Sequence, residues 1–201
     1  MKNSLVEAFH DEDIRWLFED VNLKELKGKR VLDIGCDDAE MLRGFAAEYK
    51  CRAFGVDVER FKNAGVLLWF NESKERLLRF LGLQEPMKLA RGDLMFLPYK
   101  KKSFELVYSV GAFPQLRSLD ERLQGIREAY KVLKPGGIGI IHFHMWGLEG
   151  DTRFRARFDS DVRMIISSWL DYPGLQYKEV FINNPHLPHY LSKVVINKVG
   201  R

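Results

Sequence analysis

Two cysteines in 201 residues, Cys36 and Cys51, match neither a disulfide framework nor the spacing of a zinc site. Reduced thiols are therefore expected, with the cytoplasm as the address. No apolar run approaches the roughly eighteen residues a membrane-spanning helix needs, and the opening "MKNSLVEAFHDED" is too acidic for a secretion signal. Charge of one sign is not in large excess. The 32 Lys and Arg against 28 Asp and Glu leave a net charge of +4, which mildly favours acidic partners without demanding nucleic acid. Repeats, low-complexity stretches and linkers are absent too, so the chain reads as one domain. What is there, 46% apolar and 30% charged residues, is the balance of a soluble globular protein.

Apolar residues recur at helical spacing in residues 1–28, which read as an N-terminal helical cap ended by Gly28. From there short apolar runs alternate with helical patterns. "RVLDIG", "CRAFGVDV", "MKLARGD", "SFELVYSV" and "GIGIIHFHM" are five expected strands. Between them, "AEMLRGFAAEY", the long stretch 59–83 and "LDERLQGIREAYKVL" are expected helices, the last stopped by "KPGG". A helical segment follows Trp146. "YKEVFIN" and "YLSKVVINKV" then close the chain as strands joined by a connection too short for a parallel crossover. The expected fold is α/β: a doubly wound, Rossmann-like, seven-stranded, mostly parallel sheet with helices on both faces and an antiparallel C-terminal edge hairpin. Residues 29–146 form its cofactor-binding core and 147–201 its last helical segment and strands.

In such a sheet ligands sit beyond the carboxyl ends of the strands, where strand order reverses. Asp57, at the end of the second strand, is placed to accept the hydroxyl hydrogens of a ribose. A dinucleotide would need G-x-G-x-x-G at the first turn, because a pyrophosphate must approach bare backbone. The chain instead offers Gly35 followed by Asp37, Asp38 and Ala39. Acids there repel phosphate and tolerate a cation. An adenosine compound with a sulfonium and an ammonium group, S-adenosylmethionine, fits that requirement.

Four blocks in order, "VLDIGCDDAEML", "AFGVDVE", "GDLMFLPYKKKSFELVYSV" and "EAYKVLKPGGIGII", resemble the class I S-adenosylmethionine-dependent methyltransferases, whose first motif is of the type "VLDIGCGTG". The resemblance runs from Lys29 to Met145. It implies S-adenosylmethionine as cofactor, with Asp33, Gly35, Cys36 and Asp37 at its methionine end, Asp57 on the ribose and Val58 beside the adenine. Gly92, Asp93 and Leu94 match the block near the adenine amino group, and Ser109 and Val110 end the fourth strand beneath the cofactor. The departure is that the second and third loop glycines are Asp37 and Ala39.

Substrate-facing positions expected from topology are Phe113 and Gln115 after the fourth strand and His144 and Trp146 after the fifth, with Phe9 and Trp16 on a lid; no catalytic base is assigned. His142, His144, His186 and His189 are better read as hydrogen-bonded or exposed histidines than as metal ligands, so no metal is expected. Neither cysteine lies in a Pro-Cys pair for covalent pyrimidine chemistry, and "NNPH" sits after the wrong strand for amino-directed DNA methylation. "RFRARF" has the composition of an RNA-binding surface, but a solvated helical face explains it better, so a small-molecule acceptor is favoured over RNA. The rivals are a protein of this fold that keeps the cofactor site and has lost catalysis, and a nicotinamide-dependent oxidoreductase, which the missing glycines disfavour.

Overall fold

A computed structural model describes residues 16–58, 87–142, 174–182 and 189–199. Strand β1 (Arg30–Ile34) is an apolar run buried on both faces, as a central parallel strand must be. It is followed by helix α1 (Glu40–Tyr49), β2 (Arg52–Asp57), β3 (Lys88–Arg91), β4 (Phe104–Val110), a 3-10 turn (Phe113–Gln115), helix α2 (Leu119–Val132) and β5 (Leu133–His142). Strands β6 (Leu175–Ile182) and β7 (His189–Asn197) complete the sheet. Among the described residues the sheet has seven strands in the order β3-β2-β1-β4-β5-β7-β6. Its first five strands are parallel neighbours, while β7 runs antiparallel to both β5 and β6. Strand order reverses between β1 and β4, the position at which such sheets open a crevice.

Each face has its own core. Period-two alternation turns Leu32 and Ile34 toward Ile126, Ala129 and Val132 of α2. Val31 turns the other way, toward Leu42, Phe45 and Ala46 of α1. Leu17, Phe18 and Leu26 complete that second layer. Phe18, Phe45 and Tyr108 form its centre, with ring centroids 4.8 to 5.3 Å apart.

The described part of the N-terminal cap departs from the expected helix. Helical backbone ends at Leu17, and only a 3-10 turn (Leu23–Leu26) follows. The cause is tertiary: the fully buried Lys193 of β7 donates to the carbonyl oxygens of Trp16, at 2.6 Å, and Leu17, at 3.2 Å, and pairs with Asp20 at 2.9 Å. Carbonyls left over at a helix end find a cation there instead of a continuing helix. The fifth strand also starts earlier than expected. Leu133 already pairs with Phe104, and the register then jumps to Leu106 opposite Ile138, so "KPGG" is a bulge inside β5 with Gly136 at φ +76°. The expected helices over 59–83 and after Trp146 lie outside the described residues.

Helix α2 starts on a complete capping box: the Ser118 hydroxyl accepts the Glu121 N–H at 3.2 Å, and the Glu121 carboxylate accepts the Ser118 N–H at 3.3 Å. Ser118→Ala should therefore cost about 1 kcal/mol, read as a Tm lower by about 2–4 °C; an unchanged Tm would mean that the cap contributes nothing.

Candidate cofactor-binding site

The site grows out of the end of β1. The Val56 carbonyl, on the neighbouring β2, accepts the N–H groups of Gly35 at 2.8 Å and Cys36 at 3.2 Å, which turns the chain across the sheet end. Only glycine fits at position 35: φ is +73°, and a Cβ would stand 2.3 Å from the Ala112 Cβ. Gly55, opposite Asp33 in the ladder, leaves room for the Cys36 sulfur, which a Cβ would meet at 2.6 Å. Next come the two positions where the methyltransferase pattern has glycines. Asp37 at φ 44° and Ala39 at φ 61° both hold the left-handed conformation a glycine would adopt. For a residue with a Cβ this costs about 1–2 kcal/mol, so the loop keeps its shape under strain. That shape directs the Asp37 N–H onto the Asp57 carboxylate at 3.0 Å.

Asp33 is 4% exposed. Burial raises its pKa from 3.8 to about 7, and the Asp57 charge adds to the rise, while the Tyr108 hydroxyl beside it acts in the opposite direction. That hydroxyl, fully buried, falls short of a well-aligned hydrogen bond with any partner. Burial pushes the Cys36 thiol well up, as do the charges of Asp33, Asp57 and Asp37, so it is no nucleophile. The fields of three carboxylates thus meet at one point. Among the described residues no lysine or arginine forms an ion pair with Asp33 or Asp37.

The other expected residues divide into three groups. Ser109, fully buried at the end of β4, donates its hydroxyl to the Ile34 carbonyl at 2.8 Å and so ties β4 to the β1 turn, and Val110 is half-buried beyond it. The Gly92 N–H reaches the Asp57 carbonyl at 2.9 Å, which joins the end of β3 to that of β2. Asp93 is exposed and accepts the Met95 N–H at 2.8 Å, Leu94 is buried in the α2-side core, and Val58 is exposed just beyond Asp57. The expected role of Phe113 needs correcting: its ring is completely buried in the core beneath α2 and has no surface left for an acceptor. Gln115 is exposed and donates to the Gly111 carbonyl at 3.2 Å. His144 and Trp146 lie outside the described residues. Tyr108, opposite Asp33 in the β1–β4 register, was not singled out; a tyrosine within the mostly apolar run "ELVYSV" was the available signal. No group of three or more potential metal ligands occurs among the described residues, and no described helix is long and apolar enough to cross a membrane.

An open, mostly parallel sheet with carboxylates at the ends of β1 and β2, beside its reversal point, defines a Rossmann-like nucleoside-binding protein. The model of the family described as "Methyltransferase domain" matches residues 31–137, and the chain belongs to that family. Its class is that of the class I S-adenosylmethionine-dependent methyltransferases, whose cofactor is S-adenosylmethionine. The sterol 24-C-methyltransferase of Gibberella zeae is 30% identical over 141 residues, 68% of this chain and 34% of that protein. The demethylmenaquinone methyltransferase of Lactobacillus johnsonii is 38% identical over 107 residues, 48% of this chain and 43% of that protein. The chain thus spans less than half the length of these curated relatives. Among solved structures, an arsenic(III) S-adenosylmethionine methyltransferase from Chlamydomonas reinhardtii has a TM-score of 0.58 at 19% identity, covering 93% of this chain and 74% of that one. An S-adenosylmethionine-dependent methyltransferase from Methanosarcina mazei has a TM-score of 0.61 at 14% identity, covering 87% and 94%. At these identities the likeness is one of fold.

Because the folded pKa of Asp33 lies above its unfolded value, the folded state holds the extra proton between about pH 4 and 7, and this group's contribution to stability is lost as pH rises through that window. The Tm advantage of Asp33→Asn, neutral throughout, over the wild type should therefore be larger at pH 8 than at pH 5. Melting curves with equal differences at the two pH values would show that Asp33 is not so perturbed.

Proposed function

We propose that the chain is a methyltransferase that transfers the methyl group of S-adenosylmethionine to a small organic acceptor. The observation that carries this reading is the loop from Gly35 to Ala39, which keeps left-handed turns at Asp37 and Ala39 and so aims a backbone N–H at the Asp57 carboxylate. Loss of two glycines is the main ground for a cofactor site that has decayed, and a preserved turn argues against that reading. The residues also suit the cofactor's charge: Asp33 and Asp37 have no cation of their own among the described residues, and a sulfonium and an ammonium would supply one.

In this reading Asp57 accepts the ribose hydroxyls with the lone pairs that the Asp37 N–H leaves over, and that N–H fixes the carboxylate's rotamer beforehand. Asp33 and the strand ends around it form the dry wall of the methionine end. Ser109 keeps the β1 and β4 ends together so that the wall does not spread. When bound, S-adenosylmethionine supplies an already activated methyl group, so the protein's work is alignment and exclusion of water, with no strong base required. Two of the chain's relatives are named for a sterol and for demethylmenaquinone, both small apolar molecules, which favours an acceptor of that size over RNA.

Titration calorimetry should show S-adenosylmethionine binding to the wild type, and Asp57→Ala should weaken it by about tenfold or more, as expected for charged-acceptor hydrogen bonds worth about 1.5–3 kcal/mol. No heat at millimolar ligand with the wild type would remove the proposal.

A further inference from the structure

Three partly or fully buried acids among the described residues have cations: Asp20 pairs with Lys193 and Lys178, Glu105 with Lys134, and Glu128 with Lys131. At the β1 turn neither the buried Asp33 nor the exposed Asp37 has an ion-pair partner among the described residues. Beside Asp33 the buried Tyr108 hydroxyl makes only a poorly aligned approach to that carboxylate. Arg43, the nearest basic residue on α1 to this turn, gives its guanidinium to the Asp38 carbonyl instead. Asp37 is the anomaly within the group. Its backbone sits at φ 44° and its side chain is exposed, so glycine would make the same turn and the same N–H contact to Asp57 with less strain. The carboxylate is dispensable for the loop's shape.

We propose that Asp37 is a specificity-determining residue that favours the positively charged sulfonium donor over its uncharged thioether product. The inference rests on the cofactor reading above. As the methyl carbon bonds to the acceptor's electron pair, the carbon–sulfur pair stays on sulfur, and the positive charge there is lost. A carboxylate at the loop attracts the donor and has no such charge to hold in the product, so the product leaves more readily. The ammonium and carboxylate of the methionine end are common to both molecules and cancel in the comparison.

The test is the ratio of Kd for S-adenosylhomocysteine to Kd for S-adenosylmethionine, measured by calorimetry on the wild type, Asp37→Asn and Asp37→Gly. Removal of one unit charge from the loop, in a partly screened site, should lower the ratio about three- to tenfold in both variants. The wild-type ratio should also shrink between about 20 and 500 mM salt, and the variants' ratios should shrink less. Apo Asp37→Gly should melt higher than the wild type, which separates the charge effect from misfolding. A ratio unchanged in both variants overturns the assignment while leaving the cofactor reading intact. A wild type that binds neither compound overturns both.

Discussion

The Asp37 N–H reaches the Asp57 carboxylate only if the chain leaving β1 doubles back over the end of β2, and the rest of the site follows from that one contact. Gly35 allows the turn because a side chain there would strike Ala112, and the Val56 carbonyl holds it with two backbone hydrogen bonds. Once the loop lies in this way, the charges of Asp33, Asp37 and Asp57 all act at Cys36, at the mouth of the sheet. Bringing like charges together in partly dry surroundings is unfavourable unless protons or a cation compensate. Burial and the Asp57 charge favour the protonated form of Asp33, which relieves part of that repulsion. A cationic nucleoside would provide it better, which links the fold's strain directly to its ligand.

The remainder of the molecule keeps this turn rigid. α1 and α2 cover opposite faces of the sheet, and the aromatic group of Phe18, Phe45 and Tyr108 fills the layer directly behind Asp33. Lys193, buried in β7 and bonded to the carbonyls of Trp16 and Leu17, fastens the N-terminal segment to the far side of the sheet, so Phe18 is held against Tyr108. A packing fault at β7 is thereby connected to the wall of the crevice through a continuous set of contacts. Asp33 at this turn differs from Asp20, Glu105 and Glu128 in having no lysine beside it among the described residues.

The alternation of short apolar runs with helical patterns determined the sheet, its parallel core and the antiparallel edge, because strand period and connection length are local properties. Gly35 and Asp57 were legible for the same reason: a turn residue and an acid closing two successive strands need no distant partner to be recognised. Other features depended on residues far apart in the chain. Phe113 looks like an acceptor contact in the sequence and is a core residue in the structure, because α2 folds back over it and Gly125 leaves it space. Residues 16–28 were expected to be helical throughout, but Lys193, more than 160 residues away, takes the carbonyls at Trp16 and Leu17. Above all, the sequence showed two missing glycines without showing whether the loop survived them. That was decided by tertiary structure, since the Val56 carbonyl and the Asp57 carboxylate at the end of β2 hold the turn in which Asp37 and Ala39 take a conformation neither would choose alone.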